Sequence, residues 1–201
     1  MRGLQGGTKV KIILASKSPR RSELLSKIVK DFEIITVDVD ESLPEGVSSE
    51  RGVELLAVKK GEAVSDLVGS DAMVISSDTL VELDGVALGK PKDRNDAYAI
   101  LSSLSGKCHN VHTGVAVHLR GKVYSGTHTS RVYFRNIKES EIYEYIDTGE
   151  PMDKAGAYGI QGGGGAFVEK FDGEFESIMG LSLTLTRALM DKALGDNETV
   201  L

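Results

Sequence analysis

The chain has 201 residues, 40% of them apolar and 27% charged, an ordinary globular balance that suits one domain or two lobes on one core. A net charge of -6 argues against a general polynucleotide binder, and 5% aromatic residues with no tryptophan argue against a base-stacking surface. Cys108 is the single cysteine, so no intrachain disulfide can form. No apolar run reaches the roughly 18 residues of a membrane span. The start, Met1 to Ala15, is a weakly basic, glycine-rich lead with one short apolar run, unlike a secretion signal. The expectation is a cytoplasmic protein with no membrane and no polynucleotide partner.

Val10 to Ala15 reads as a first short strand, and Ser18-Pro19 opens a helix to about Lys30. Ile34 to Val39 reads as a second strand, followed by acidic Asp40-Glu41. A long helix is predicted over Ser49 to Val68, with Val53, Leu56, Lys60, Val64 and Leu67 on one face. Met73 to Ser76 reads as a strand, and Thr79 to Leu88 as a hairpin turning at Asp84-Gly85, a pairing that brings Lys90 back opposite Thr79. A helix from N-cap Asp93 to Ser105 ends at Gly106. A second hairpin, Val111 to Leu119 and Lys122 to Arg135, turns at Arg120-Gly121. A helix over Ser140 to Ile146, a glycine-rich stretch, a strand over Ala166 to Lys170 and a closing helix over Ser182 to Leu194 complete the chain. Helices alternating with strands and hairpins define a mixed α/β fold.

Ser16-Lys17-Ser18-Pro19-Arg20-Arg21 runs from a strand end into a helix start. Arginines in a first turn oppose the helix dipole, which an anion at that terminus would reconcile. A capped helix whose arginines reach solvent fits the same residues. Lys60 falls among the apolar positions of its helix, where a lysine needs an anionic partner or must snorkel. Asp78 follows a strand end, where open α/β sheets favour ligands. Beside Lys90 it forms either a plain salt bridge or a metal-holding carboxylate, and Glu41 could be a second one. Glycines at 159 and 162–165 allow close backbone approach or a flexible turn, and Gln161 between them could read a base edge. The run is not a dinucleotide fingerprint, and Gly85 to Lys90 is not a P-loop, since the spacing fails and proline follows the lysine. Cys108, His109 and His112 have no standard zinc spacing, and His112 and His118 are read as facing one side of a sheet.

Together, LASKSPRRSELL at 14–25, DE at 40–41, Lys60, SSDTLV at 76–81, LGKP at 88–91, EPMDKAGAYGIQGGGGAFV at 150–168 and GLSL at 180–183 resemble the Maf family of nucleotide pyrophosphatases. The matches keep family order and span nearly the whole chain as a single domain, 1–201. The resemblance implies a mixed twisted sheet with flanking helices, two lobes around a central cleft, similar to inosine triphosphatase. It implies Mg²⁺- or Mn²⁺-dependent attack of water on the α-phosphorus of a nucleoside triphosphate, releasing pyrophosphate. Asp78 would be the catalytic acid and a metal ligand with Glu41. Ser16, Arg21, Lys60 and Lys90 would grip the triphosphate. Arg20, Thr79 and Gln161 would set base choice, and they resemble the branch acting on dTTP and UTP in nucleotide-pool house-cleaning. A homodimer is a family-level expectation. The rival readings are a non-hydrolysing regulator of cell division and a pyrophosphatase for a purine or modified nucleotide. Gly61, where the family often has alanine, and the extra glycines at 163–165 are the departures.

Overall fold

The computed structural model describes residues 10–42 and 46–198, with side chains to residue 195; the N-terminal lead before Val10 lies outside them. One seven-stranded mixed sheet organises the chain. Its strands are β1 (Ile12–Leu14), β2 (Glu33–Ile34), β3 (Met73–Leu83), β4 (Val86–Leu88), β5 (Cys108–Leu119), β6 (Lys122–Phe134) and β7 (Val168–Asp172). The order is β2-β1-β3-β5-β6-β7, with β4 paired on β3. β1 runs parallel to β2 and β3, and the remaining pairings are antiparallel. The helices are α1 (Pro19–Ser26), α2 (Ser49–Val68), α3 (Arg94–Leu104), α4 (Glu139–Asp147), α5 (Phe175–Met179) and α6 (Leu183–Glu198). Among the described residues no helix is long and apolar enough to cross a membrane.

The local chemistry explains these elements. Both hairpins turn where two successive residues have positive φ, 51° and 81° at Asp84-Gly85 and 51° and 73° at Arg120-Gly121, as a two-residue turn matched to strand twist requires. The resulting register, Val81 opposite Leu88, is the one expected from the turn. Ser48, Asp93 and Ser18 cap α2, α3 and α1 with their side chains, satisfying otherwise orphaned amides.

Several expected boundaries move. The first helix stops at Ser26, four residues short of Lys30, and the strand expected over 34–39 shrinks to Glu33–Ile34, because only Ile13 and Leu14 of β1 are available to pair with it. The strand at 73–76 and the first hairpin arm are one continuous β3. Leu67, placed on the buried face of α2, is 66% exposed, since the inward face of the last turn continues from Val64 to Val68, which pack with Ile13, Ala72 and Val74, and leaves Leu67 to one side. α5 and the short 3₁₀ turns after α4 carry no periodic pattern and were not anticipated.

Side-chain alternation along β3 builds the two lobes. On one face Met73 and Ile75 join a core with α1 and α6, while Val81 and Leu83 join a second with α3 and α4. Between them sit Ser77 and Thr79, and Thr113 on β5, so a hydroxyl-lined waist separates the cores. The waist is satisfied: Ser77 donates to the Gly114 and Gly180 carbonyls, and Thr113 to the Ser177 carbonyl. α2 covers the opposite face. There Gly114 lets β5 approach so closely that a Cβ would overlap the backbone of Val53, and a Cβ on Gly61 would come within 2.6 Å of the buried Ser76 hydroxyl and 2.5 Å of the His118 ring. Glycine at 61 is therefore a packing requirement of this chain.

Gly114→Ala should destabilise the fold by about 2 kcal/mol, as overpacking against rigid backbone does, lowering Tm by about 4–8 °C for a chain of this size. Thermal unfolding checks this; an unchanged Tm would show that α2 yields freely.

Candidate active site

The flank of β3 opposite β5 is interrupted. β1 pairs with β3 over Met73–Ile75 and β4 over Val81–Leu83, leaving residues 76–80 with no strand on that side among the described residues. Into this gap open the loop after β1, the loop after β2, the turn after β4 and the glycine-rich loop. They enclose a cleft of about 940 Å³. Ser16, Arg20, Arg21, Glu41, Lys60, Asp78, Thr79, Lys90 and Gln161 all line it. Asp78 lies in the middle of the gap.

α2 delivers Lys60 to Asp78, which follows Val74 and Ser76 on the face of β3 that α2 covers. Its ammonium lies 2.5 Å from Asp78 Oδ1 and 2.7 Å from Glu41 Oε1, with the lysine side chain 17% exposed. The buried-side lysine thus has two anionic partners, and Asp78, 15% exposed, shares its charge with one cation. The Lys60 hydrogen bond holds the Glu41 carboxyl below the usual carboxylate range against the opposing cost of burial. Lys59, one position on, turns out to Asp40 at 3.5 Å.

The two arginines at the start of α1 separate. Arg21 turns inward: Nε donates to the Gly180 carbonyl at 2.9 Å, and the terminal nitrogens reach Thr79 Oγ1 at 3.3 Å and Ser16 Oγ at 3.5 Å. Burial lowers its pKa, while Asp78 and then Glu41 act to raise it. The Gly180 carbonyl accepts from Arg21, Ser77 and, at 3.5 Å, Thr79, so one backbone oxygen ties α1, β3 and the segment before α6 together. Glu174 caps the first turn of α6 through the Leu183 and Thr184 amides and fixes that segment. Arg20 faces the cleft edge, 3.8 Å from Asp153. The ready explanation for first-turn arginines, an anion, is thus partly met by the protein's own carboxylates.

The glycine-rich stretch is packed where a flexible turn would be loose, and its Gly159 and Gly162 line the cleft. The glycines press on the protein itself, around the Glu150 carboxylate and the Tyr145 hydroxyl, and the segment 163–167 coils as a 3₁₀ turn. Gln161 stands at its exposed crest, lining the cleft. Glu150, Asp153 and Lys154 also line the cleft, and in the sequence they stand only as members of the 150–168 motif. Lys154, 14% exposed, donates to the Glu150 carbonyl and to Asp153. An acid-Lys pair in a glycine-bounded loop was the available signal for it.

The histidines behave as structural groups. His109 Nε2 meets the Tyr158 hydroxyl at 2.9 Å, and burial lowers its pKa to about 4; His112 Nδ1 meets Thr129. His112 and His118 share one face of β5, as their spacing implies, while His109 lies on the other with Phe134 and Tyr158. Among the described residues no three His, Cys, Asp or Glu side chains gather to hold a metal ion. The Asp78 and Glu41 oxygens are nevertheless the donors a hard cation takes, and Mg²⁺ commonly uses one or two carboxylates with substrate phosphates. Their convergence on a single ammonium shows that both can reach one cation.

The fold and cleft define a mixed α/β protein whose site joins clustered cations to two carboxylates. Residues 11–193 match the family described as Maf, Maf-like protein. A dTTP/UTP pyrophosphatase of Bdellovibrio bacteriovorus is 46% identical over 187 residues, 90% of this chain and 97% of that protein. Relatives with the same description from Vibrio cholerae (44% identical; 90% of this chain, 97% of that protein) and Thermococcus gammatolerans (43%; 87% and 92%) match similarly. The chain belongs to the Maf family.

In Lys60→Met, Glu41 should titrate at higher pH than in the unsubstituted chain, read from its carboxyl carbon by NMR. An unchanged titration would show that the Lys60 pair does not hold Glu41.

Proposed function

We propose that this chain hydrolyses dTTP and UTP to the monophosphate and pyrophosphate, clearing or controlling nucleotide pools. The observation that carries the proposal is the convergence of Asp78, Glu41 and Lys60 in a cleft also lined by Ser16, Arg21 and Lys90. Phosphoryl transfer depends chiefly on positioning and charge neutralisation, and these cations can hold a triphosphate while a carboxylate faces its α-phosphorus. The names carried by the relatives support the substrate.

Water attacks the α-phosphorus, the bond from that phosphorus to the bridging oxygen breaks, and pyrophosphate leaves with the electron pair. Asp78 orients the water and accepts its proton. Arg21, fixed on the Gly180 carbonyl, presents its terminal nitrogens beside Ser16 to phosphate oxygens, and Lys90 adds further charge from the cleft lining. Asp78 and Glu41 would hold Mg²⁺ or Mn²⁺ with phosphate oxygens, supplying further charge neutralisation. Lys60, between Asp78 and Glu41 at the cleft, would add its ammonium to the charge that meets the phosphates. Arg20, Thr79 and Gln161 choose the base. The carboxylate in the cleft favours turnover over a silent nucleotide-binding regulator, since a pure anion binder gains nothing from it.

Asp78→Asn should abolish pyrophosphate release from dTTP, by at least about a hundredfold, while nucleotide still binds by calorimetry. Turnover near the unsubstituted rate would remove Asp78 from the chemistry.

A further inference from the structure

The glycine-rich loop that carries Gln161 is held by two side chains with no role in the reading above. Tyr145, on the last turns of α4, is 5% exposed. Its hydroxyl donates to Glu150 Oε1 at 2.9 Å and accepts from the Gly159 amide at 3.1 Å. The second oxygen, Glu150 Oε2, accepts from the Gly163 amide at 3.0 Å. The two amides held in this way lie two residues before and two residues after Gln161.

The glycines exist to permit this grip. A Cβ at Gly162 would overlap the Glu150 carboxylate. One at Gly159 would lie 2.9 Å from Glu150 Oε1, and one at Gly164 would lie 2.9 Å from the Tyr145 hydroxyl. Side chains at these positions would push the loop off its two anchors. The Lys154 ammonium fixes the Glu150 backbone carbonyl from below at 2.7 Å, so the anchor is itself held. Burial raises the Tyr145 pKa, which keeps the phenol protonated as a donor at neutral pH.

We infer that Tyr145 and Glu150 are positioning residues for base selection: they clamp the loop on both sides of Gln161 and fix where its amide meets the base. This inference rests on the proposed nucleotide hydrolysis and deepens it. A base-reading amide discriminates only if it is held at hydrogen-bond geometry, since a mobile one can adapt to several bases. The clamp supplies that rigidity from Tyr145, which lies outside the cleft lining, and from the two Glu150 oxygens, which are engaged by the Tyr145 hydroxyl and the Gly163 amide. Its loss should relax selectivity more than it slows chemistry, because Asp78, Lys60 and Arg21 sit on other elements.

The test compares kcat/KM for UTP and GTP in the unsubstituted chain, Tyr145→Phe, Gln161→Ala and the double variant. Tyr145→Phe keeps the ring, which packs edge-on against Phe167 with centroids 5.2 Å apart, and removes only the hydroxyl. The expected result is a fall of about tenfold in the UTP-over-GTP ratio, the scale of one lost hydrogen bond with its partner unsatisfied. Gln161→Ala should lower the ratio similarly, and the double variant should fall no further than Gln161→Ala alone. A Tyr145→Phe variant that loses activity equally on both nucleotides, or adds its full effect in the Gln161→Ala background, overturns the inference. Glu150→Gln, which keeps the shape and removes the charge, should shift the ratio in the same direction and serves if Tyr145→Phe does not fold. Amide hydrogen exchange reads the clamp without turnover: Gly159 and Gly163 should exchange about tenfold faster in Tyr145→Phe, and unchanged exchange overturns it. Absence of turnover in the unsubstituted chain with intact protection at these amides would instead count against the proposed function alone.

Discussion

The interruption along one flank of β3 is the constraint on which the site depends. A strand paired on both sides along its length offers no concavity. Here β1 ends at Leu14 and β4 begins its pairing at Val81, so the middle of β3 lies between two strand ends. Chain leaving β1 must turn at this point, and it turns into α1, bringing Ser16 and Arg21. The same gap makes room for Lys60 from the α2 face and for Arg21 from the other. The hydroxyl waist of Ser77, Thr79 and Thr113 is the continuation of that gap through the sheet. It interrupts what would be one apolar core and leaves two, with the cleft at their border.

Charge compensation is the second organising feature. Lys60 would be costly on the inner side of α2 without Asp78 and Glu41, and Asp78 would be costly without Lys60. Each charge is paired with an opposite one, so the site holds both signs of charge at close quarters. A polyphosphate with its counter-cation has the same mixed character, which is why the arrangement suits it. Around the Glu150 carboxylate the compensation is made differently: a phenol and a backbone amide donate to its oxygens, and among the described residues no cation pairs with them. That group is built to hold a loop in place.

Much of this was legible in the residues. The turn pairs Asp84-Gly85 and Arg120-Gly121 specify two-residue hairpins, and the apolar stripe of α2 placed Lys60 inward before any partner was known. The long helix from Ser49 to Val68 is recognisable from its apolar period. Motif order gathered Ser16, Arg21, Asp78, Lys90 and Gln161 into one site, although they are scattered along the chain. What escaped has physical causes. The extent of β2 depends on how much of β1 remains to pair with it, a tertiary fact. The exposure of Leu67 depends on which side of the last turn of α2 meets the sheet, and Val68 takes that place. Arg21 and Arg20 are adjacent and chemically alike, and only the Gly180 carbonyl and Asp153 distinguish their directions. The glycine run reads as room for a ligand, whereas its empty Cβ positions are filled by Glu150 and Tyr145, residues that come well before it.

The most direct test of the central claim is pyrophosphate release from dTTP, UTP, CTP, GTP and 7-methyl-GTP in the presence of Mg²⁺ or Mn²⁺. Preferential release from dTTP and UTP, with the monophosphate as co-product, is the expected result. Tight binding of these nucleotides with no pyrophosphate from any of them would contradict it, and would make the cleft a nucleotide sensor in which Asp78 performs no chemistry.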